Sequence, residues 1–452
     1  MYARFSTSIV TRSLAACSTR LVTLSAVAIT LATSAYAQDG APRRALHGHH
    51  GNAVTYWNAI ADAAFTPTEG TNPMADSRTL SILHAAIHDA LNAIDQRYRS
   101  YTPGLAPAPG ASLDAAVAAA AHDVLVTLVP GQAAFVETTY SDALAALPDG
   151  AAKAAGIALG QASAQATLAR RQGDGADTAA QPVYVPRPGP GEYQFTPPFN
   201  FAAQPSWGQV EPFAIDLREH ELDGPQPLSS RQYARDFAHV KAIGEINSAT
   251  RTPEQSEIAR FWYEDSTLGW NRIANTIVRD QRLDPWEAVR AFALVNFAMA
   301  DGFIAGFEAK YRFRFWRPET AIHAAGTDGN PQTEPDATWR PFLITPPVPD
   351  YPSTHTVLGW AAAEVLIELL GDKVRFSATS LTLPGVTRHF RSISAAAHEN
   401  GLSRLYAGIH FRYAVKEGRR QGRSIGRAVS EALEPIRGSR PRWLSGTELS
   451  QR

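Results

Sequence analysis

Sulfur-containing residues are nearly absent from this sequence, whose 452 residues include one cysteine and three methionines. The cysteine, Cys17, lies within residues 1–37, which resemble a cleaved signal, so the mature chain would form no disulfide and would depend on its hydrophobic core. Little oxidisable sulfur suits a protein that meets strong oxidants, although chance in small numbers explains it at least as well.

The sequence has no large excess of positive or negative charge, because its 42 Lys and Arg residues are balanced by 43 Asp and Glu residues. This balance gives no general attraction to nucleic acid or to anionic lipid, so no nucleic-acid or membrane partner is predicted. A membrane-spanning run is missing from the core as well, since the apolar segment 292–307 contains Asn296 and Asp301 and is short for a span.

Residues 1–37 have the features of a secretory signal. Arg4, Arg12 and Arg20 accompany an apolar run at 21–32, and Ala35-Tyr36-Ala37 forms a small-residue cleavage site. The run is too short to span a membrane. The sequence therefore predicts a secreted or periplasmic protein whose mature chain begins with a flexible tail at 38–52.

Strand patterns are lacking too, because no run of alternating β-branched residues occurs. Alanine- and leucine-rich segments with apolar spacing of three and four recur instead. The predicted fold class is all-α, with helical bundles in two four-helix-bundle-like halves. Helices are predicted at 54–65, 78–97, 113–129, 131–146, 151–172, 229–248, 253–264, 270–282, 285–315, 357–370 and 413–433.

Proline, glycine and aromatic residues crowd the segment 173–228, which predicts a long connection without regular structure. Such a connection is usually functional or wraps a neighbouring element. It divides the chain into an N-terminal helical half at 53–172 and a C-terminal half at 229–437, and a tail at 438–452 follows.

His84 and His88 are four residues apart on one predicted helix and precede Asp89, a spacing that can hold a metal ion. Leu80 and Leu83 share that side of the helix, and the sequence places no third ligand nearby. Buried, hydrogen-bonded histidines are therefore the favoured interpretation.

A basic cluster ends the predicted helix at 285–315. Seven residues correspond to about 700° of helical rotation, so Lys310 and Arg317 are expected on one face, with Pro318 ending the helix. Taken alone, this segment is more typical of a solvated basic face, because Arg312 and Arg314 show that basic residues are plentiful here.

Two further motifs follow in the C-terminal half. Pro352-Ser353-Thr354-His355 opens a predicted helix with Ser353 placed to cap it, and the free N–H groups at such an end favour an anion. Arg404 and His410 are six residues apart, so they would diverge by about 120° on an ideal helix. Gly408 is therefore expected to mark an irregularity that lets both face one site.

Together these motifs supply three fixed cations, a hydroxyl, a helix N-terminus and two imidazoles, which suit a tetrahedral or trigonal-bipyramidal oxyanion. One histidine can bond to the central atom, and the other can move protons. The residues are Lys310, Arg317, Ser353, His355, Arg404 and His410.

The ordered motifs Lys-x6-Arg-Pro, Pro-Ser-x-His and Ser-Arg-x5-His resemble the signature of vanadium-dependent haloperoxidases and the type 2 phosphatidic acid phosphatase (PAP2) superfamily. Less specific similarity, from the Trp57-Asn58 start to Gly408 and Gly426, resembles the bacterial haloperoxidase-like branch. This resemblance implies a vanadate cofactor, which phosphate can mimic, and hydrogen peroxide, halide and a small organic acceptor as reaction partners.

Carried over to this sequence, the family pattern implies that His410 bonds to vanadium through nitrogen and is the metal ligand. His355 would act as acid and base, and Lys310 would polarise bound peroxide, so these three would be catalytic. The oxygens of the cofactor would be held by Lys310, Arg317, Ser353, Arg404 and the Thr354 backbone N–H.

Three positions depart from the family pattern. Thr354 replaces the usual glycine, which predicts strain if that position requires a positive φ. Ala414 stands where an aspartate is often found, so the group that orients His410 must come from elsewhere. Val348 occupies the place associated with halide preference, so the preferred halide is left open.

Vanadate and phosphate have nearly the same shape and charge. The alternative function is therefore a soluble acid phosphatase that forms a phosphohistidine at His410. Chain length and the alanine-rich N-terminal half favour the haloperoxidase-like branch. A non-enzymatic oxyanion-binding protein is disfavoured by His355, because binding alone needs no acid–base group. The oligomeric state, including a homo-oligomer, is left open.

Overall fold

The computed structural model describes residues 51–65, 72–177 and 182–436. The predicted signal, most of the tail at 38–52 and the tail at 438–452 lie outside these residues. Within them, the structure contains 13 α-helices and one two-stranded hairpin, which confirms the predicted all-α fold class.

The helices are α1 (Ala53–Ala64), α2 (Pro73–Ile94), α3 (Leu113–Leu128), α4 (Ala133–Ala145), α5 (Ala151–Arg170), α6 (Arg231–Ile243), α7 (Pro253–Phe261), α8 (Ser266–Asp280), α9 (Pro285–Phe313), α10 (Pro318–His323), α11 (Thr354–Leu370), α12 (Ile393–Tyr406) and α13 (Arg412–Ser430). Strands β1 (Phe376–Thr379) and β2 (Thr387–Phe390) pair antiparallel between α11 and α12. Sequence analysis did not predict α10, α12 or the hairpin.

Local sequence sets the start of α9. The Asp284 carboxylate accepts a hydrogen bond from the Glu287 N–H at 2.9 Å, and the Glu287 carboxylate accepts one from the Asp284 N–H at 3.0 Å. Pro285, which has no N–H to leave unpaired, occupies the first turn. The helix start predicted from Asp284-Pro285 is confirmed.

The long helix α9 is the central element of the fold. It packs against α2 on one side and against α11 and α13 on the other, and the largest hydrophobic cluster extends through all four helices. By length and composition α9 could cross a membrane, but its apolar 18-residue window is entirely buried inside the protein. Its apolar character is therefore that of a core helix.

The C-terminal end of α9 differs from the prediction. The helix ends at Phe313, and Arg314 adopts the left-handed conformation with φ 48°. Arg317 consequently lies beyond α9, at the residue that precedes α10, and Pro318 begins a helix instead of ending one. Lys310 and Arg317 approach each other because the chain turns, so the predicted common helical face is wrong.

The proline-rich connection at 173–228 packs along α9, which agrees with the prediction that it could wrap a neighbouring element. Asp301, in the middle of α9, accepts hydrogen bonds from the N–H groups of Phe213 and Ala214 at 2.6 and 2.9 Å. Just past the end of the helix, the Tyr193 N–H donates to the Arg314 carbonyl at 2.7 Å. The connection is thereby held against the end of α9 that carries Lys310.

Glycines allow α13 to lie close against α11. A Cβ atom on Gly418 would come within 2.7 Å of the Ser353 carbonyl oxygen, and one on Gly426 within 2.7 Å of the Ala361 carbonyl oxygen. Neither distance is compatible with a side chain. The close approach also lets the Ser353 N–H donate to the Ala414 carbonyl at 3.0 Å, which joins the start of α11 to the first turn of α13.

His84 and His88 are buried within the packing around α2. His84 Nδ1 lies 2.9 Å from the Leu80 carbonyl and 3.2 Å from Asn296 Nδ2, and burial lowers the pKa of His84 to about 4. His88 Nδ1 lies 3.1 Å from the Asp89 carboxylate. These contacts fit the packing interpretation, and in the described part of the chain no group of three potential ligands could hold a metal.

Candidate oxyanion site

The three predicted motifs meet where the end of α9, the start of α11 and the turn after α12 come together. The charges of Lys310, Arg317, Arg404 and His355 all act on His410, so the structure places them as neighbours. His355 is partly exposed. The remaining predicted residues are buried: Lys310, Arg317, Ser353, Thr354, Arg404 and His410.

The turn at Gly408 brings Arg404 and His410 to the same site. Gly408 has φ +78°, and α12 has ended before it, at Tyr406. The Ile409 N–H then donates to the Arg404 carbonyl at 3.2 Å, which closes the end of the helix. The predicted irregularity is confirmed, and it frees His410 from the helical spacing.

Two charged neighbours flank the His410 ring. Nε2 lies 2.9 Å from Arg317 Nη1, which has only hydrogens to donate, so Nε2 accepts. Nδ1 lies 2.8 Å from the Asp350 carboxylate, although the approach is too oblique for a well-directed hydrogen bond. Asp350 is thus the group beside His410 that the sequence left unidentified when Ala414 replaced the usual aspartate.

Burial shifts the pKa values of His410 and Asp350 in opposite directions. Desolvation, followed by the charges of Arg317 and Lys310, lowers the pKa of His410 well below its ordinary value. Desolvation raises the pKa of Asp350 to about 7, and the same two cations oppose that rise. His410 is therefore a neutral imidazole with a lone pair on one nitrogen, as a ligand requires.

The Arg317 side chain is fixed by backbone carbonyls. Its Nε donates to the Val348 carbonyl at 2.7 Å, and Nη1 donates to the Ile409 carbonyl at 2.7 Å. Because Nη1 also approaches His410, the guanidinium plane is set relative to the imidazole. Arg317 therefore reaches the site in a fixed orientation.

Lys310 is placed differently from the expectation. Its Nζ donates to the carbonyls of Pro349, Asp350 and Pro352 at 2.6, 3.2 and 2.7 Å, which uses all three N–H groups of an ammonium. Burial lowers the pKa of Lys310 well below its ordinary value, and the charge of Arg317 adds to this effect. Lys310 fastens the loop before α11, and a direct bond to a bound anion would require exchange of one of these contacts.

Ser353 precedes α11 as predicted, but its hydroxyl does not cap the helix. The Ser353 hydroxyl accepts from the Thr356 hydroxyl at 2.9 Å, and no side-chain cap bond forms. The first backbone hydrogen bonds of the helix are donated by the N–H groups of Thr356 and Val357, both to the Ser353 carbonyl at 3.0 Å. The N–H groups of Thr354 and His355 therefore lie ahead of the helical hydrogen bonds.

Thr354 causes no backbone strain. It lies in helical conformation, and among the described residues the non-glycine positions with positive φ are Gln204, Arg282 and Arg314. Gly306 on α9 provides the space, because a Cβ there would lie only 3.2 Å from the Thr354 hydroxyl. The strain that the sequence predicted conditionally is absent.

A carbonyl group that sequence analysis missed links the other two site residues. The Trp262 carbonyl oxygen accepts from His355 Nε2 at 2.9 Å and from Arg404 Nη1 at 3.2 Å. Desolvation lowers the pKa of His355 well below its ordinary value, and Arg404 contributes. Desolvation also lowers the pKa of Arg404 to about 10. A backbone carbonyl leaves no signal in the side-chain pattern, so only the fold reveals it.

The charge balance of the site fits an oxyanion. Within the described residues, Lys310, Arg317 and Arg404 have no carboxylate at ion-pair distance, and Arg404 Nε and Thr354 Oγ1 are buried without a hydrogen-bond partner. The Asp350 carboxylate offsets part of the charge of Lys310 and Arg317. The excess of buried positive charge that is left is destabilising by roughly several kcal/mol. A bound anion with several oxygens would supply both the missing charge and the missing acceptors, and vanadate has these properties.

Residues 290–438 match the protein family described as "VCPO second helical-bundle domain". This segment contains all three motifs. The vanadium chloroperoxidase of Curvularia inaequalis is 25% identical to this chain over 488 residues, which covers 80% of this chain and 79% of that protein.

Solved structures extend the similarity to most of the chain. A bacterial vanadium-dependent iodoperoxidase is 26% identical with a TM-score of 0.73, covering 85% of this chain and 96% of the other. A bacterial vanadium-dependent chloroperoxidase in its holo form is 18% identical with a TM-score of 0.67, covering 84% and 97%. At that lower identity the likeness concerns the fold alone.

Proposed function

Because the chain belongs to the superfamily of vanadium-dependent haloperoxidases and type 2 phosphatidic acid phosphatases, we propose that it is a vanadium-dependent haloperoxidase-like oxidoreductase. It would oxidise a halide with hydrogen peroxide to hypohalous acid, which then halogenates a small organic acceptor. The observation that carries the proposal is the group of three buried cations around the neutral imidazole of His410, which outnumber the single carboxylate of Asp350 beside it. The similar proteins favour vanadate over phosphate as the anion.

The residues present can hold vanadate. His410 would bind through Nε2, the nitrogen next to Arg317, and the guanidinium groups of Arg317 and Arg404 would bind oxygens. The Ser353 hydroxyl and the Thr354 N–H, at the start of α11, would complete the set. Bound vanadate would supply a Lewis-acidic centre that takes up hydrogen peroxide and activates it towards halide.

His355 would move the protons. Its lowered pKa keeps the ring neutral near pH 7, so it can accept a proton from hydrogen peroxide and return it to the product. The Trp262 carbonyl holds the proton on Nε2 and fixes the ring. Because the same carbonyl also binds Arg404, the proton carrier and a cation of the site keep a constant separation.

Lys310 would act mainly through its charge. Its ammonium is tied to the loop carbonyls, yet it lies close enough to lower the pKa of His410. A desolvated cation there stabilises both a bound anion and the negative charge that develops during peroxide activation. The loop contacts keep that charge in place without reorganisation during the reaction.

The signal-like residues 1–37 support export of this enzyme to the periplasm or the medium. N-terminal sequencing of the exported chain tests this part of the proposal. A mature chain that begins after Ala37 is expected, whereas retention of the uncleaved chain in the cytoplasm would contradict it.

The activity is tested with purified protein incubated with vanadate, hydrogen peroxide and chloride, bromide or iodide in turn. Halogenation of a phenolic dye is followed in parallel with hydrolysis of an aryl phosphate. Vanadate- and peroxide-dependent halogenation is expected with at least one halide. Phosphate release without halogenation would reject the proposal in favour of the acid phosphatase.

Two histidine variants locate the activity. His410→Ala should lose vanadate retention and halogenation, because the ligand is gone. His389→Ala is the matched control, since this exposed histidine lies on β2, outside the site, and should leave both unchanged. Equal activity of the two variants would contradict the assignment of His410.

A further inference from the structure

His410 needs a partner that fixes its ring, because a ligating histidine is oriented by a hydrogen-bond acceptor on its other nitrogen. At the position four residues after His410, the family pattern often has an aspartate, and this chain has Ala414. The methyl side chain of Ala414 cannot accept a hydrogen bond. The inference below rests on the proposed function, since it takes His410 to be the ligand.

Asp350 is the carboxylate that faces His410 Nδ1, at 2.8 Å, and both side chains are almost completely buried, with exposures of 1% and 4%. It reaches this position from a different part of the chain, the loop before α11. The backbone of that loop is anchored on both sides. The Asp350 N–H donates to the Phe315 carbonyl at 2.9 Å, and its own carbonyl accepts from Lys310 Nζ at 3.2 Å.

The Asp350 carboxylate faces the Phe411 backbone N–H as well as His410. Among the described residues, no side chain forms a well-directed hydrogen bond with either of its oxygens, although the side chain is buried. A buried carboxylate with so few partners is costly, and His410 is the titratable side chain that its oxygen approaches most directly.

A second buried carboxylate lies nearby and is already occupied. Asp236 lines the same small cavity as Asp350 and Ala414. Its Oδ2 accepts from the Tyr413 N–H at 2.9 Å, and its Oδ1 accepts from Gln232 at 2.8 Å. Asp236 therefore holds the start of α13, whereas Asp350 remains available to His410.

The two sides of the imidazole are consequently unequal. A carboxylate next to Nδ1 favours a proton on that atom, and Arg317, a donor only, next to Nε2 favours a lone pair there. We propose that Asp350 is the positioning residue of His410, holding the proton on Nδ1 so that the Nε2 lone pair faces the oxyanion, in place of the aspartate that Ala414 replaces. In this chain the carboxylate would come from the loop before α11 and not from α13.

The first test needs no variant and no turnover. In vanadate-free protein labelled with ¹⁵N-histidine, the His410 resonances are identified by their loss in His410→Gln. The proposal expects a protonated Nδ1 and an unprotonated Nε2 at pH 8. A His410 ring that carries its proton on Nε2 would overturn it, whatever the enzyme does with halide.

The second test replaces the carboxylate. Asp350→Asn keeps the shape of the side chain and all backbone contacts, but its amide can donate to Nδ1 and favour the opposite tautomer. Vanadate affinity, measured by calorimetry without peroxide, should fall about 10- to 100-fold, and the ¹⁵N signature should shift towards a protonated Nε2. An unchanged tautomer together with an affinity within about twofold of the original protein would refute the role of Asp350.

Asp236→Asn is the matched control, because it removes a buried carboxylate from the same cavity while leaving the His410 neighbour intact. It should preserve the tautomer, and equal shifts in both variants would refute a specific role for Asp350. Addition of Ala414→Asp to Asp350→Asn would support the proposal if it restores the protonated Nδ1 and part of the lost affinity. Normal tautomer and vanadate binding without halogenation would instead count against the proposed function alone.

Discussion

Replacement of Gly408 by alanine tests whether the turn after α12 places His410. Gly408 has φ +78°, and an added Cβ would overlap the backbone of Gly244 far inside van der Waals distance. Gly173 is a matched control, because it also follows the end of a helix with a positive φ of +74° but has nothing within 4 Å of an added Cβ. The two substitutions share the cost of a positive φ and differ in the steric one.

The expected magnitudes follow from these two contributions. A left-handed conformation costs an alanine about 1–2 kcal/mol, which should be the whole effect of Gly173→Ala. Gly408→Ala adds overpacking against a backbone that cannot rotate away, typically about 1–3 kcal/mol more. The free energy of unfolding should therefore fall by about 2–5 kcal/mol for Gly408→Ala, and by at least about 1 kcal/mol more than for Gly173→Ala.

The assay is equilibrium unfolding in urea of the two variants side by side, with vanadate affinity measured on the folded proteins. Gly408→Ala should also weaken vanadate binding, because His410 lies two residues along the chain and a shift of about 1 Å can cost on the order of 100-fold in a positioned site. Gly173→Ala should bind vanadate normally. Equal destabilisation by the two variants, or normal vanadate affinity in Gly408→Ala, would show that the turn does not position His410.

Three further predictions use the same preparations. His355→Gln should lower halogenation by about 10²–10⁴-fold while the vanadate Kd, from calorimetry, stays within about threefold; parallel losses of binding and turnover would contradict a proton-transfer role. Vanadate at about 100 times its Kd should raise the free energy of unfolding by about 2.7 kcal/mol in urea titrations and should not do so in His410→Ala, where any stabilisation would point to binding elsewhere. Burial raises the pKa of Asp301 from 3.8 to about 7, so its stabilising contribution is present at low pH and is lost as the pH rises through that range. Unfolding measured from pH 4 to pH 8 should show the original protein losing on the order of 4 kcal/mol relative to Asp301→Asn, and parallel curves would refute this.

Sequence reasoning grouped the candidate site residues, which the structure places as neighbours, because charged and titratable side chains in fixed order carry a chemical meaning. It also identified Gly408, since the separation of Arg404 and His410 does not suit one helix. The geometric argument for Lys310 and Arg317 failed although the residues are neighbours. Helical rotation assumes that the helix continues, and the left-handed turn at Arg314 ends it first.

The groups that hold these side chains were beyond prediction because most are backbone carbonyls. Lys310 is held by three of them, Arg317 is bound by the carbonyls of Val348 and Ile409, and His355 shares the Trp262 carbonyl with Arg404. Every residue has a carbonyl group, so nothing in the sequence distinguishes the ones that serve as acceptors. Their roles follow only from where the chain turns.

The loop before α11 shows why a short segment without a motif can determine how the site is arranged. Within a few residues it provides acceptors for Lys310 and Arg317 and the Asp350 carboxylate that faces His410. The two cations therefore have a second function, since they hold in place the backbone that carries the partner of the ligand. It follows that removal of the Lys310 ammonium would affect His410 in two ways, by loss of a nearby charge and by release of the loop that carries Asp350. A loss of vanadate affinity in a Lys310 variant would then not by itself show that Lys310 touches the anion, and only the ¹⁵N signature of His410 separates these causes.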